Sequence, residues 1–180
     1  SSYLSVEHIL ISEILFDAEG SDAGKEFIEI YNPTEEAIDL TGWKLTKDGS
    51  ALLTIGSKTE DRTSISSRGF FLVGLNNYGG EPAADAVRSA SLPNSGAVVA
   101  LLDAEGRTVD EAGYGDGGVP GESVERRAWI GICTSAQGGA NEFLGNGCDT
   151  NSISDFEVRN VPRPVYSDDE KPVVLAKVLQ

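Results

Sequence analysis

The densest run of potential ligand atoms in the chain is Asp149-Thr150-Asn151-Ser152-Ile153-Ser154-Asp155, which sets oxygen side chains at alternate positions of a turn-rich segment. Hard cations such as calcium are gathered in this way, so Asp149, Asn151 and Asp155 form the candidate metal set and calcium the candidate ion. An EF-hand is excluded, because Ile153 stands where that loop needs an oxygen and no bidentate glutamate follows at the required spacing. A second acidic loop carries Asp17, Glu19 and Asp22. In both segments the same residue types also make Asx-turns, in which a short polar side chain bonds the nearby backbone, and that role competes with ion binding.

Two cysteines, Cys133 and Cys148, flank one Gly-rich segment. An even number around a flexible loop points to a disulfide and an oxidising compartment, against the alternative of two unrelated thiols. Closing a loop of this size restricts the unfolded chain by about 3 kcal/mol. The spacing is not that of a redox CxxC pair, and with His8 the only histidine, zinc is excluded. Nucleophilic catalysis also lacks its parts: there is no Gly-x-Ser-x-Gly elbow, and His8 lies at the start of the first strand, so no Ser/His triad forms. Glu13 shares an alternating face with Ile11 and Leu15, and Glu29 one with Phe27 and Tyr31, so both carboxylates are candidates for burial. Arg126 is the cation expected to pair with them in a structural charge network. Read as a glycosidase acid/base pair instead, the two glutamates lack a sugar-stacking cleft. Trp129, beside Arg126, Arg127 and the cysteine loop, is a candidate surface contact for a sugar or peptide, against packing under its own loop.

Asp and Glu outnumber Lys and Arg by 29 to 14, a formal charge of −15. Such a field repels phosphate backbones and anionic lipid heads, so nucleic acid and membrane are excluded as partners. It attracts divalent cations and basic peptides, and it keeps an exported protein soluble. No run is long and apolar enough for membrane insertion.

Alternation at period two dominates the elements that must position these residues, and helical periodicity is nearly absent. Strands are expected at Ile9 to Phe16, Glu26 to Asn32, Ile38 to Leu40, Trp43 to Thr46, Ala51 to Ile55, Phe70 to Gly74, Ala97 to Leu102, Thr108 to Tyr114 and Ser123 to Arg127. Asp103-Ala104-Glu105-Gly106 is a tight hairpin turn whose glycine accepts positive φ. The stretches from Asn76 to Asp85 and from Gly113 to Gly121 read as loops, and Trp43 as core. From Asn160 the chain turns Pro-rich and acidic. The apolar stretch Val173 to Leu179 is expected to pack or to pair with a strand edge. These features define an N-terminal tail (1–7), a β-domain (8–166) containing a Cys-bearing insertion (128–148), and a C-terminal extension or linker (167–180).

The order Ile9-Leu10-Ile11-Ser12-Glu13-Ile14, Glu26-Phe27-Ile28-Glu29-Ile30-Tyr31-Asn32-Pro33, Leu40-Thr41-Gly42-Trp43-Lys44-Leu45 resembles the lamin tail domain, found in nuclear lamins and in many bacterial and archaeal extracellular proteins. The likeness continues through Arg68-Gly69-Phe70-Phe71-Leu72-Val73, Leu92 to Leu101, Asp103 to Asp110, Ser123-Val124-Glu125-Arg126 and Gly145 to Asn151 with Asp155-Phe156. The insertion after Arg127 departs from the lamin form. The resemblance implies an all-β, immunoglobulin-like Greek-key sandwich of about seven to nine strands and no catalysis. It is consistent with a scaffold or interaction module of a secreted or cell-surface protein, part of a larger polypeptide, that binds protein or polysaccharide through loops or an edge strand. The alternative is an accessory or targeting domain of an extracellular hydrolase or nuclease, with calcium as a stabiliser. Nuclear lamina function is disfavoured by the charge and by the lack of coiled-coil heptads.

Overall fold

A computed structural model describes residues 7–115 and 118–164. In chain order the strands are β1 (Leu10–Leu15), β2 (Phe27–Tyr31), β3 (Ile38–Asp39), β4 (Lys44–Lys47), β5 (Ser50–Thr54), β6 (Ser64–Ile65), β7 (Phe70–Gly74), β8 (Ala86–Val87), β9 (Gly96–Leu102), β10 (Thr108–Gly115), β11 (Ser123–Arg126), β12 (Ala128–Trp129), β13 (Cys133–Thr134) and β14 (Phe156–Arg159). Two short 3-10 turns, Gly139–Phe143 and Ile153–Asp155, interrupt them. Among the described residues no helix is long and apolar enough to cross a membrane.

The protein is an all-β, immunoglobulin-like sandwich. One sheet has the order β14-β11-β1-β2-β7-β8 and the other β10-β9-β4-β5, with two small pairs, β12-β13 and β3-β6, at the periphery. Pairing is antiparallel throughout except for the parallel β7-β8 contact. Alternation explains the core between the sheets. In β9, Ala97, Val99 and Leu101 are buried while Val98 faces out. They meet Leu45 and Leu53 of the same sheet and Ile11, Ile14, Ile28, Ile30, Phe71 and Val73 of the other, with Trp43 packed at the margin. The hairpin β9-β10 turns as expected: Gly106, at φ 82°, donates its N–H to the Asp103 carbonyl at 3.0 Å.

β1, β2 and β7 are buried along their whole length, because both faces of the larger sheet are covered. The inner face meets the four-stranded sheet, and the outer face meets Ala18, Tyr78, Ala84 and Val87 at Leu15, Phe27 and Leu72, and the segment from Cys133 to Cys148 at Tyr31, Glu125 and Glu157. The approach is close at Gly145, where a Cβ would overlap the Tyr31 hydroxyl.

One expectation is corrected here. The β1-β2 register slips between Ile11 and Glu13, a β-bulge. The strand therefore changes phase: Ile9 and Ile11, then Ile14 and Phe16, enter the core. Glu13 and Leu15 do not share a face with Ile11, as strict alternation required. Strand β14 was not foreseen either, since its alternation spans only four residues.

Cys133 and Cys148 form a disulfide with Cα atoms 5.2 Å apart and a sequence separation of 15. It anchors both ends of the segment that covers the outer face. Reduction is expected to lower stability by about 3 kcal/mol and to lower the melting temperature accordingly, measured by thermal unfolding with and without reductant. An unchanged transition with two titratable thiols would show that the cover stays closed without the bond.

Candidate functional site

Arg126, at the end of β11, is the bulkiest fully buried side chain among the described residues. Its neighbour across the β11-β14 ladder is Phe156, whose ring lies 4.5 Å beneath the guanidinium, so the side chain points to the inner face. From there it reaches the opposite sheet. Nη2 donates to Asp110 Oδ2 on β10 at 2.7 Å, Nε to the Ile11 carbonyl on β1 at 2.7 Å, and Nη1 to the Cys148 carbonyl at 2.7 Å. The Ile11 N–H in turn donates to Asp110 Oδ2 at 2.7 Å. The β1-β11 ladder pairs Glu13 with Glu125 and Ile14 with Val124. Beyond it, the Arg126-Asp110 pair satisfies both peptide groups of Ile11 in the manner of a strand. Burial pushes the Asp110 carboxyl above its ordinary range, with the Arg126 charge pulling the other way.

Asp149 and Asp155 converge on the same guanidinium, with oxygens 3.8 Å and 3.9 Å from Nη1. Asp155 also accepts the backbone N–H groups of Thr150 at 2.7 Å and Ser152 at 3.2 Å, closing a capping box on the second 3-10 turn. Asp149 faces His8 Nε2 at 3.1 Å and accepts the Asn151 N–H at 3.3 Å. Asn151 occupies a left-handed turn position, φ 56°. Arg126 thus places a positive charge beside both aspartates, while Asp149 closes an Asx-turn at Asn151 and Asp155 bonds back to the turn that precedes it. In the other acidic loop, Asp17 and Asp22 share the Asn94 side-chain amide at 3.1 Å each, and Lys25 reaches the Glu19 carbonyl. Among the described residues, metal-type ligand atoms of three residues gather at Cys133, Cys148 and Asp155, but the two sulfurs are bonded to each other.

The other expected partners of Arg126 lie elsewhere. Glu29, Glu13, Glu125 and Glu157 occupy paired positions on four adjacent strands, β2-β1-β11-β14, and form one row on the outer face. Adjacent positions on a strand point to opposite sides, so Glu125 joins this row and Arg126 cannot. The network proposed for Glu13, Glu29 and Arg126 is therefore two separate networks. In the outer one, Ser12 Oγ donates to Glu29 at 2.7 Å, Ser123 Oγ to Glu13 at 2.6 Å, and the Arg163 N–H to Glu13 at 3.0 Å. Arg159 bridges Glu125 and Glu142, each at 2.9 Å, and Asn146 reaches Glu125 at 3.2 Å. Glu157 accepts from Ser135 Oγ at 2.8 Å and the Ala136 N–H at 2.9 Å. Two members of the row, Glu125 and Glu157, thus hold the disulfide-anchored segment at Asn146 and at Ser135 and Ala136. Burial first, then the charge of Glu29, pushes the Glu13 carboxyl up to about 8. Burial also raises Glu125, against the pull of Arg159.

Trp129 is half-buried, opposite Cys133 in the β12-β13 pair. Asp110, Glu125 and Arg159, all central to these networks, carried no signal in local spacing, because each acts through pairing across sheets or strands.

A profile of the Lamin Tail Domain matches residues 5–116. The chain belongs to the lamin tail domain family. No curated protein matches it. The lamin tail domain is a non-catalytic immunoglobulin-like fold, in keeping with a site whose charged groups are bound to one another. The match takes in β1 to β10, and the partners of Arg126 on β1 and β10 lie within it, whereas Arg126 itself lies beyond it.

Arg126→Ala leaves Asp110 buried without its cation, and a loss of about 3–5 kcal/mol is expected in chemical unfolding. A loss below about 1 kcal/mol would show the pair to be dispensable. The glutamate row sets the pH response. With Glu13 raised in the folded state, that state holds a proton which the unfolded chain has released. Its contribution is full below the ordinary value of 4.5 and is lost as pH rises towards about 8. Stability is expected to fall across that window, by up to about 1.4 kcal/mol per pH unit, and Glu13→Gln to flatten the slope. Parallel profiles for the two proteins would refute this.

Proposed function

We propose that this lamin tail domain is a non-catalytic interaction and scaffold module of a secreted or cell-surface protein, binding a protein or polysaccharide ligand through its loops or an exposed strand edge. The observation that carries the reading is the division of the molecule into closed and open parts. Its buried carboxylates and Arg126 are committed to each other and to backbone groups, as in a structural network rather than a reacting constellation. Its longest strand, β10, ends its sheet with backbone groups on one side unpaired among the described residues. The Cys133–Cys148 bond supports an oxidising compartment, and the charge of −15 supports a surface kept apart from nucleic acid and anionic lipid.

The test has two arms. Acid-quenched alkylation of the full-length protein in its native cells is expected to find both cysteines oxidised. The purified chain is then passed over cell-surface polysaccharide and over immobilised exported proteins from the same cells, where saturable retention, lost on unfolding, is expected. Free thiols in the cell would overturn the exported placement, and no retention on either matrix would overturn the module reading.

A further inference from the structure

The β10 edge borders a groove with a volume of about 480 Å³, walled on the far side by Asn151, Ser152, Ile153 and Phe156 and floored by Asp110 and Arg126. Resting on the module reading, we propose that this groove takes an extended peptide alternating basic and apolar side chains, which adds to β10 as the next strand of the four-stranded sheet.

Three features of the edge argue for this occupant. First, natural edges are guarded by charged side chains, proline or a bulge, and in β10 these devices, the register slip between Thr108 and Asp110, the inward-pointing Asp110 and the exposed Glu111, all lie in its first half. Beyond them, Ala112-Gly113-Tyr114-Gly115 has no guard. Second, the face that carries Glu111 is bare at the next two positions, Gly113 and Gly115, and a Cβ on either would meet no heavy atom within 4 Å. Gly113 pairs with Val98, which is therefore 47% exposed. Glycine within a strand marks a place where another backbone can come close. A lysine or arginine on the added strand would lay its stem over Gly113 against Val98 and set its charge near Glu111. Third, the alternate side chains would point into the groove, where Ile153 is 82% exposed beside Ala112 and the half-buried Phe156. Main-chain hydrogen bonds would supply affinity, and the two rows of contacts would supply selectivity. The charge of −15 favours a basic strand and opposes the pairing of two copies edge to edge.

The probe is a capped peptide of alternating lysine and valine, titrated into the isotope-labelled full chain and followed by amide NMR. Two controls are its glutamate–valine counterpart and the same lysine–valine peptide N-methylated along one edge, which keeps charge and side chains but loses the donors. Saturable shifts confined to residues 109–115, 98 and 149–156 are expected. Binding is expected to weaken about tenfold or more with N-methylation and with Glu111→Lys, and several-fold with Ile153→Ser, all of which change the edge or exposed side chains rather than the core. Equal binding of the N-methylated peptide would reduce the effect to charge and overturn the proposal. So would shifts mapping elsewhere, or β10 amides already protected in the free monomer, which would place the chain's own segment 173–179 on the edge. Concentration-dependent β10 shifts without peptide would assign the edge to a second copy and also overturn it. Retention on the matrices above that is insensitive to Glu111→Lys and Ile153→Ser would leave the module reading intact while removing this site.

Discussion

The sandwich depends on the buried pair of Arg126 and Asp110 and their joint hold on Ile11. Two sheets stacked face to face are normally held by apolar contact alone, which fixes separation better than register. Here one guanidinium joins β11 to the carbonyl of β1, to the carboxylate of β10 and to the carbonyl of Cys148, each at 2.7 Å. Directional bonds of that kind locate the smaller sheet over the larger one. A buried ion pair is not in itself a source of stability, since desolvation offsets the attraction. What it supplies is intolerance of alternatives: any slip of β10 against β1 strands a charge and two peptide groups away from water.

The outer face uses the same chemistry for a different end. An Ig-like sheet whose second face met only water would carry polar residues there, freely hydrated. In this protein the four glutamates are covered instead, so they require partners. Ser12, Ser123, Asn146, Arg159 and the backbone of Ala136 and Arg163 supply them. Several of these donors belong to the disulfide-anchored segment or to the chain after β14. The row is therefore both the reason the cover is needed and the means by which it is attached. Because the carboxyls repel one another and sit out of water, their protonation and the seating of the cover are coupled.

Most of the fold was legible in sequence, because alternation in β9 and β10 is strong, β2 and β7 are short apolar runs of strand length, and the hairpin at Asp103 to Gly106 has an unambiguous turn residue. The pairing of Cys133 with Cys148 was also legible, from their number and the loop between them. What escaped was everything set by register. The slip at Ser12 turned Ile11 away from Glu13, which no count of alternating residues reveals. Arg126 and Glu125 differ by one position and so by a face, which sends one to Asp110 and the other into the glutamate row. Asp149 and Asp155 were recognisable as oxygen side chains gathered for an ion or for a turn, but the guanidinium beside them comes from a residue more than twenty positions earlier, invisible to a local motif.

Register also bears on where the domain ends. The family match stops at residue 116, after β10, yet β11 lies next to β1 inside the larger sheet and β14 continues it. A chain cut there would keep Asp110 and both peptide groups of Ile11 but lose the arginine that joins them, and it would expose the edge of β1 along with Glu13. The matched region is thus the recognisable part of the fold and not a self-sufficient one. The segment from Cys133 to Cys148, which lies beyond the family match, does not decorate a finished sandwich. It receives the Arg126 bond at the Cys148 carbonyl and covers the outer face at Glu125 and Glu157, so the cover and the core are tied through one side chain. The same arrangement leaves the end strands of the four-stranded sheet, β10 and β5, outside both networks, so the charged groups of this domain are spent on joining its layers and not on closing the edges of that sheet.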